Sequence, residues 1–190
     1  MVQEKRRLRA VMRERCLEVG AVSAQQAAEA VARHLAASAA YQKARRIVLY
    51  AELPGEVPVA PLAARAEADG LPRLWPRQRA DGALDVVVCA GVQELAAGPH
   101  GVREPGPERE PAVLGAGDLL LVPGLAFDAE GGRLGRGRGA WDRTLADAAG
   151  AVAVGIGYEF QVVARVPREA HDRSLAALVT ECGFRRSQPT

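Results

Sequence analysis

Residues 4–19 carry apolar side chains at Leu8, Val11, Met12, Cys16 and Val19, with charged residues between them. That spacing of three to four predicts a helix with one apolar face. A second helix is expected over residues 23–39. Ser23 and Gln26 there have the spacing of a capping box, and the alanine-rich body has high helix propensity. The pattern then changes. Arg46-Ile47-Val48-Leu49-Tyr50-Ala51 is a short apolar run that reads as a buried strand. Leu53-Pro54-Gly55-Glu56 has turn chemistry. A helix follows, with Pro58 in its first turn and an end near Gly70.

Residues 71–76 predict a strand whose prolines, Pro72 and Pro76, place it at a sheet edge. Residues 84–89 are strand-like. Residues 90–117 hold many glycines and prolines and read as a long loop, a feature that is usually functional. Leu119-Leu120-Leu121-Val122 is apolar throughout, residues 128–139 are a glycine- and arginine-rich loop, and residues 141–149 are expected as a helix. Residues 151–157 and 176–180 read as strands, the second of them the last in the chain. Strands alternating with helices, several strands being apolar on both faces, predict an α/β fold. The expectation is a single domain over residues 1–190, with a largely parallel central sheet and helices on both faces.

Composition narrows the function. The chain has 190 residues, 48% hydrophobic and 25% charged, as a globular protein should. Its 25 basic and 23 acidic residues leave a net charge of +2, which argues against a general nucleic-acid binder. The three cysteines are scattered without metal-ligand spacing, so neither a disulfide framework nor a zinc site is expected. The basic first residues lack the apolar stretch of a secretory signal. The longest apolar runs, 85–92 and 118–127, are too short to span a membrane. A cytoplasmic protein is expected, with no nucleic-acid or membrane partner.

The stretch richest in chemistry is Arg133-Leu134-Gly135-Arg136-Gly137-Arg138-Gly139-Ala140-Trp141-Asp142. It lies between an apolar strand and a helix. In an open α/β sheet, ligands bind beyond the carboxyl ends of the strands. Alternating glycines let a backbone approach a ligand and present its amides as an anion nest. Arg133, Arg136 and Arg138 add forked donors for phosphate or carboxylate oxygens. Asp142, beside so much positive charge, suggests a magnesium ion bound with phosphates. Other readings stay open at this point: a solvated turn, an RNA-contacting loop, and for Asp142 a helix N-cap. Lys5 and Arg9 lie one helical turn apart and suit either a phosphate or a solvated face. Glu56 follows a strand end, where a ligand or plain surface charge both fit. His171-Asp172 suits either a catalytic pair or a structural hydrogen bond.

Together these fragments resemble the 5-formyltetrahydrofolate cyclo-ligase family. The matching pieces are Lys5-x-x-Leu8-Arg9, the turn at Glu56, Gly101-Val102-Arg103-Glu104-Pro105 and the strand and turn over residues 118–128. The glycine-arginine loop with Trp141-Asp142-Arg143 follows, then Gln161, Val166-Pro167, His171-Asp172 and Val179-Thr180-Glu181. Order and spacing agree over residues 5–181. The resemblance implies ATP- and Mg²⁺-dependent closure of 5-formyltetrahydrofolate to 5,10-methenyltetrahydrofolate, with release of ADP and phosphate. Phosphorylation would turn the formamide oxygen, a poor leaving group, into a good one before N10 attacks. Positioning and charge neutralisation dominate such transfers.

By the same resemblance, Lys5 and Arg9 contact ATP phosphates, and Arg9 also reaches the folate. Residues Arg133, Leu134, Gly135, Arg136, Gly137, Arg138, Gly139, Ala140 and Trp141 wrap the nucleotide. Arg136 and Arg138 sit near the transferring phosphoryl and, with Glu56, form the implied catalytic set. Asp142 holds the metal, with Asp172 as a candidate second carboxylate. Ala51 and Glu56 line the folate site, Glu56 near N10. The sequence departs from the family at Ala140-Trp141, where two tyrosines are usual, and over residues 76–84, which lack the family's Met or aromatic. A monomer is favoured. Competing readings are a relative on the same scaffold acting on another formyl or amide substrate, and an RNA-contacting protein. A sugar-phosphate or CoA enzyme rests on fold analogy alone.

Overall fold

The computed structural model describes residues 1–188, and of His100 only the backbone. Helix α1 spans Val2–Leu17 and α2 spans Ala21–Ala36. The capping box does not form. Extended Gly20 is the N-cap of α2, so Ser23 falls inside the first turn. A one-turn helix, α3 (Ala39–Gln42), was not expected. Its cap is Ser38, whose hydroxyl accepts the Tyr41 N–H at 3.2 Å. Strand β1 (Arg46–Val48) leads through the Glu56 turn to α4 (Ala60–Ala68). Pro61, rather than Pro58, occupies the first turn of α4.

Strands β2 (Arg73–Gln78) and β3 (Leu84–Val88) form an antiparallel hairpin. The expected long loop contains a two-stranded ribbon, β4 (Leu95–Ala97) with β5 (Arg103–Pro105). Then come β6 (Asp118–Pro123), the short pair β7 (Ala126–Phe127) and β8 (Arg133–Leu134), α5 (Ala140–Asp147), β9 (Val152–Ile156) and β10 (Ala177–Thr180). The chain adds a further strand, β11 (Gly183–Arg186), antiparallel to β10.

The main sheet has the order β11-β10-β9-β6-β1-β2-β3. Its five inner strands are parallel and both edges are antiparallel. Strand β2 is therefore internal, not an edge. Pro76 is tolerated there for a simple reason. The Leu49 amide donates to the Leu74 carbonyl, so alternate residues of β2 turn their backbone toward β1, which has ended at Val48 before Pro76 is reached. No ladder bond is lost.

Strand β6 is the spine, with Leu119 to Val122 all at most 1% exposed. Alternation sends Leu119 and Leu121 into a core with Ala28, Val31 and Leu35 of α2 and Leu62 of α4. Leu120 and Val122 meet Val48, Phe127 and Leu145 of α5 on the other face. Each buried leucine contributes about 2 kcal/mol. Helices thus cover both faces, as the pattern predicted. Helix α1 lies apart, with Met12 and Cys16 packed on Leu125, Ala126, Leu134 and Val166 beyond the carboxyl ends of the strands.

Candidate active site

Beyond β1 and β6 opens a cavity of about 960 Å³, near the upper end of the range for small-molecule sites. Lys5, Arg9, Ala51, Glu56, Asp172 and the whole run from Arg133 to Asp142 line it together. Residues up to 167 positions apart meet because α1, the exits of β1 and β6, and the loop after β8 converge at one end of the sheet.

The glycine-arginine loop folds as its residues require. Gly137 (φ 107°) and Gly139 (φ 67°) adopt positive φ, which side chains disfavour. Gly139 caps α5 and opens the helix N-terminus toward the cavity. Free first-turn amides give that end positive potential. Arg136 donates to Glu56 Oε1 at 2.9 Å and to the Pro54 carbonyl at 3.0 Å. Arg138 is exposed and makes no side-chain hydrogen bond or ion pair among the described residues. Arg9 Nε donates to the Gly135 carbonyl at 3.0 Å.

Arg133 behaves differently from its neighbours. It lies on β8 with its side chain only 3% exposed, and it pairs with Asp142 Oδ2 at 2.9 Å. Its Nε has no hydrogen-bond partner among the described residues. Asp142 Oδ1 accepts the Arg173 N–H at 3.2 Å. Arg133 therefore orients the carboxylate of Asp142 at the cavity wall.

Lys5 does not sit on a solvated face. It is buried, and its Nζ donates to Asp172 Oδ2 at 2.6 Å and Glu169 Oε2 at 2.8 Å. Burial alone would lower the proton affinity of Lys5, but the two carboxylates raise it above the ordinary value. Burial likewise works against ionised Asp172, yet Lys5 and the Glu169 amide hold its carboxyl below the usual range. The Lys5 hydrogen bond holds Glu169 down as well. His171 is 72% exposed and 3.6 Å from Asp172 Oδ1, a place on the rim.

Glu56 is the opposite case. Burial, the largest influence, raises its carboxyl, and the Leu53 amide and Arg136 offset this only in part. Its backbone carbonyl accepts the Tyr158 hydroxyl at 3.2 Å. Pro76, Gln78 and Leu84 of the β2–β3 hairpin form a wall of the same cavity. Pro99, Val102 and Glu104 of the β4–β5 ribbon extend that wall, and Glu104 Oε2 accepts the Gln78 N–H at 2.8 Å.

Tyr50, Gln78, Glu169 and Arg173 also line the cavity, and sequence reasoning missed them. Their only signal was proximity to residues already singled out. Asp142 and Asp172 are single carboxylates, and the described residues include no cluster of three His, Cys, Asp or Glu that could hold a metal. This donor set suits a magnesium ion that brings phosphate oxygens with it, not an all-protein cage.

The 5-formyltetrahydrofolate cyclo-ligase family model matches residues 1–181. Two proteins named 5-formyltetrahydrofolate cyclo-ligase are similar in sequence. That of Mycolicibacterium smegmatis is 41% identical over 88 residues, 45% of each chain. That of Mus musculus is 26% identical over 189 residues, 93% of each chain. The NMR structure of Aquifex aeolicus 5,10-methenyltetrahydrofolate synthetase superposes with a TM-score of 0.84 and 30% identity, covering 97% of this chain and 93% of that one. A Mycoplasma pneumoniae 5,10-methenyltetrahydrofolate synthetase, 17% identical with a TM-score of 0.73, shares the fold. On a match that runs from the first residue of α1 through the end of β10, the chain belongs to the 5-formyltetrahydrofolate cyclo-ligase family and is an enzyme, a ligase, of that family.

Proposed function

We propose that this cavity binds ATP, Mg²⁺ and 5-formyltetrahydrofolate, and that the enzyme closes the folate to 5,10-methenyltetrahydrofolate with release of ADP and phosphate. The observation that carries this reading is the 2.9 Å bond between Arg136 and Glu56, which joins the glycine-arginine loop to the turn after β1 inside one cavity. A ligand on the loop and a ligand on the turn would be neighbours there.

When bound, the nucleotide would supply a phosphoryl group that makes the formyl oxygen a leaving group, and the metal would neutralise phosphate charge. The protein's part is to place and neutralise charge. Loop amides and Arg138 suit the terminal phosphates, with Lys5 and Arg9 beside them. Asp142, oriented by Arg133, would hold the metal, and Asp172 is the candidate second carboxylate. Ala51 and Glu56 would face the folate. As N10 attacks the formyl carbon and the C–O bond breaks, the N10 proton must leave. Glu56, whose buried carboxyl favours the protonated form, suits that proton. Trp141 offers a flat face where the family usually has tyrosine. We further infer that residues 1–190 act as one domain, as a cytoplasmic monomer without nucleic-acid or membrane partners. No helix among the described residues is long and apolar enough to cross a membrane.

The test is absorbance of the methenyl product formed from 5-formyltetrahydrofolate, with and without ATP and Mg²⁺. Product that requires both, and is lost in Asp142→Asn, supports the reading. ATP binding without product would move it to another formyl or amide substrate.

A further inference from the structure

Arg143 lies just past the residues assigned above, in the first turns of α5, and its side chain is exposed. One terminal nitrogen donates to two backbone carbonyls, Arg138 at 2.7 Å and Gly82 at 2.8 Å. Arg138 belongs to the glycine-arginine loop. Gly82 belongs to the β2–β3 turn, whose hairpin lines the same cavity through Pro76, Gln78 and Leu84, as does Arg143 itself.

Both glycines beside the guanidinium leave room for it. A Cβ on Gly82 would come 2.5 Å from the Arg143 Nη2, and one on Gly139 3.1 Å from its Nη1. The next residue repeats the link. The Thr144 hydroxyl accepts the Leu84 N–H at 2.8 Å and donates to the Ala140 carbonyl at 3.0 Å. Two consecutive side chains of α5 thus span from the loop's end to the same hairpin.

We propose that Arg143 is a positioning residue that clasps the glycine-arginine loop to the β2–β3 turn and holds the loop in its nucleotide-competent shape. The proposal rests on the nucleotide assignment made above. A loop that reaches its competent shape only part of the time binds its ligand more weakly by that fraction, with little effect once the ligand is seated. The clasp therefore acts on ATP affinity, and its loss should loosen both ends together.

The experiment compares the full chain with Arg143→Ala and Arg143→Lys in three measurements. These are hydrogen exchange by mass spectrometry without ligand, calorimetric titration with ATP and Mg²⁺, and steady-state kinetics. For Arg143→Ala, exchange should rise in residues 136–141 and in residues 80–84. The Kd and KM for ATP should rise about tenfold, with kcat within about twofold and the folate KM unchanged. Arg143→Lys should recover most of the affinity, because an ammonium has donors for both carbonyls.

Unchanged exchange in residues 80–84 with weakened ATP binding would make Arg143 a direct nucleotide contact and overturn the clasp. A tenfold fall in kcat at unchanged ATP affinity, or no change in any measurement, would overturn it too. If the parent chain binds no ATP, the nucleotide assignment fails. The clasp as a purely structural link is then still decided by the exchange data, while its role in nucleotide binding falls with that assignment.

Discussion

Glu56 and Asp142 are both carboxylates in the same cavity, and each is paired with an arginine, Glu56 with Arg136 and Asp142 with Arg133. Burial raises the Glu56 carboxyl, so its contribution to stability is complete below the unfolded range near 4.5 and fades as pH rises through the folded value. At neutral pH the ionised form costs stability. Glu56→Gln should therefore unfold at the same or a higher temperature at pH 7, with a flatter stability curve between about pH 4 and 7. If Glu56 takes the N10 proton, kcat should fall about 100-fold in the same variant. Thermal melts across pH and steady-state rates check both; full turnover would remove Glu56 from the chemistry. The guanidinium that Asp142 neutralises is only 3% exposed. Asp142→Ala leaves that charge buried and unpaired, which costs about 3 kcal/mol. The expected drop in Tm is about 10 °C; Asp142→Asn also removes the charge but keeps an oxygen that accepts from Arg133, so it is the cleaner probe of the metal role.

At the scale of elements, Lys5 latches α1 onto the segment carrying Glu169 and Asp172. Both carboxyls are lowered, so their contribution is present above their ordinary values of 4.5 and 3.8 and is lost as pH falls through the folded values. Lys5, being raised, holds its share until pH climbs past about 10.5. Lys5→Met should lower Tm by a constant amount from about pH 5 to 9, and the gap should close in more acid solution. A gap that persists at pH 3 would mean the latch is packing, not charge. This latch was illegible in sequence because its partners lie 164 and 167 positions away. Local pattern failed elsewhere for different reasons. Gly-Phe-Arg-Arg in β11 shows no apolar run, and its pairing to β10 comes from backbone bonds. The ribbon β4–β5 has strands of three residues among glycines and prolines, too short to leave a period. The pull of a serine toward helix caps misled the start of α2, where Gly20 takes the position instead. By contrast, the loop after β8 was readable, since its glycines and arginines act through local backbone geometry.

For the whole molecule, the apolar strands were legible because a parallel sheet covered on both faces has no polar side to confuse the signal. Their order was not, because nothing local states that β6 sits between β1 and β9. That central position carries a prediction. Leu120→Ala removes a fully buried side chain from the spine and should cost about 3 kcal/mol in denaturant unfolding. The KM values of the folded fraction should not move, because Leu120 faces the α5 core and not the cavity.

The two tryptophans divide the molecule in a way an optical experiment can use. Trp75 is fully enclosed, whereas Trp141 stands half-buried in the cavity wall. The emission of Trp141 should shift or quench when a ring stacks against it, while Trp75 stays out of reach of soluble quenchers such as acrylamide. Tryptophan-selective fluorescence is thus a built-in gauge of cavity filling, and Trp75→Phe would leave Trp141 as its single source.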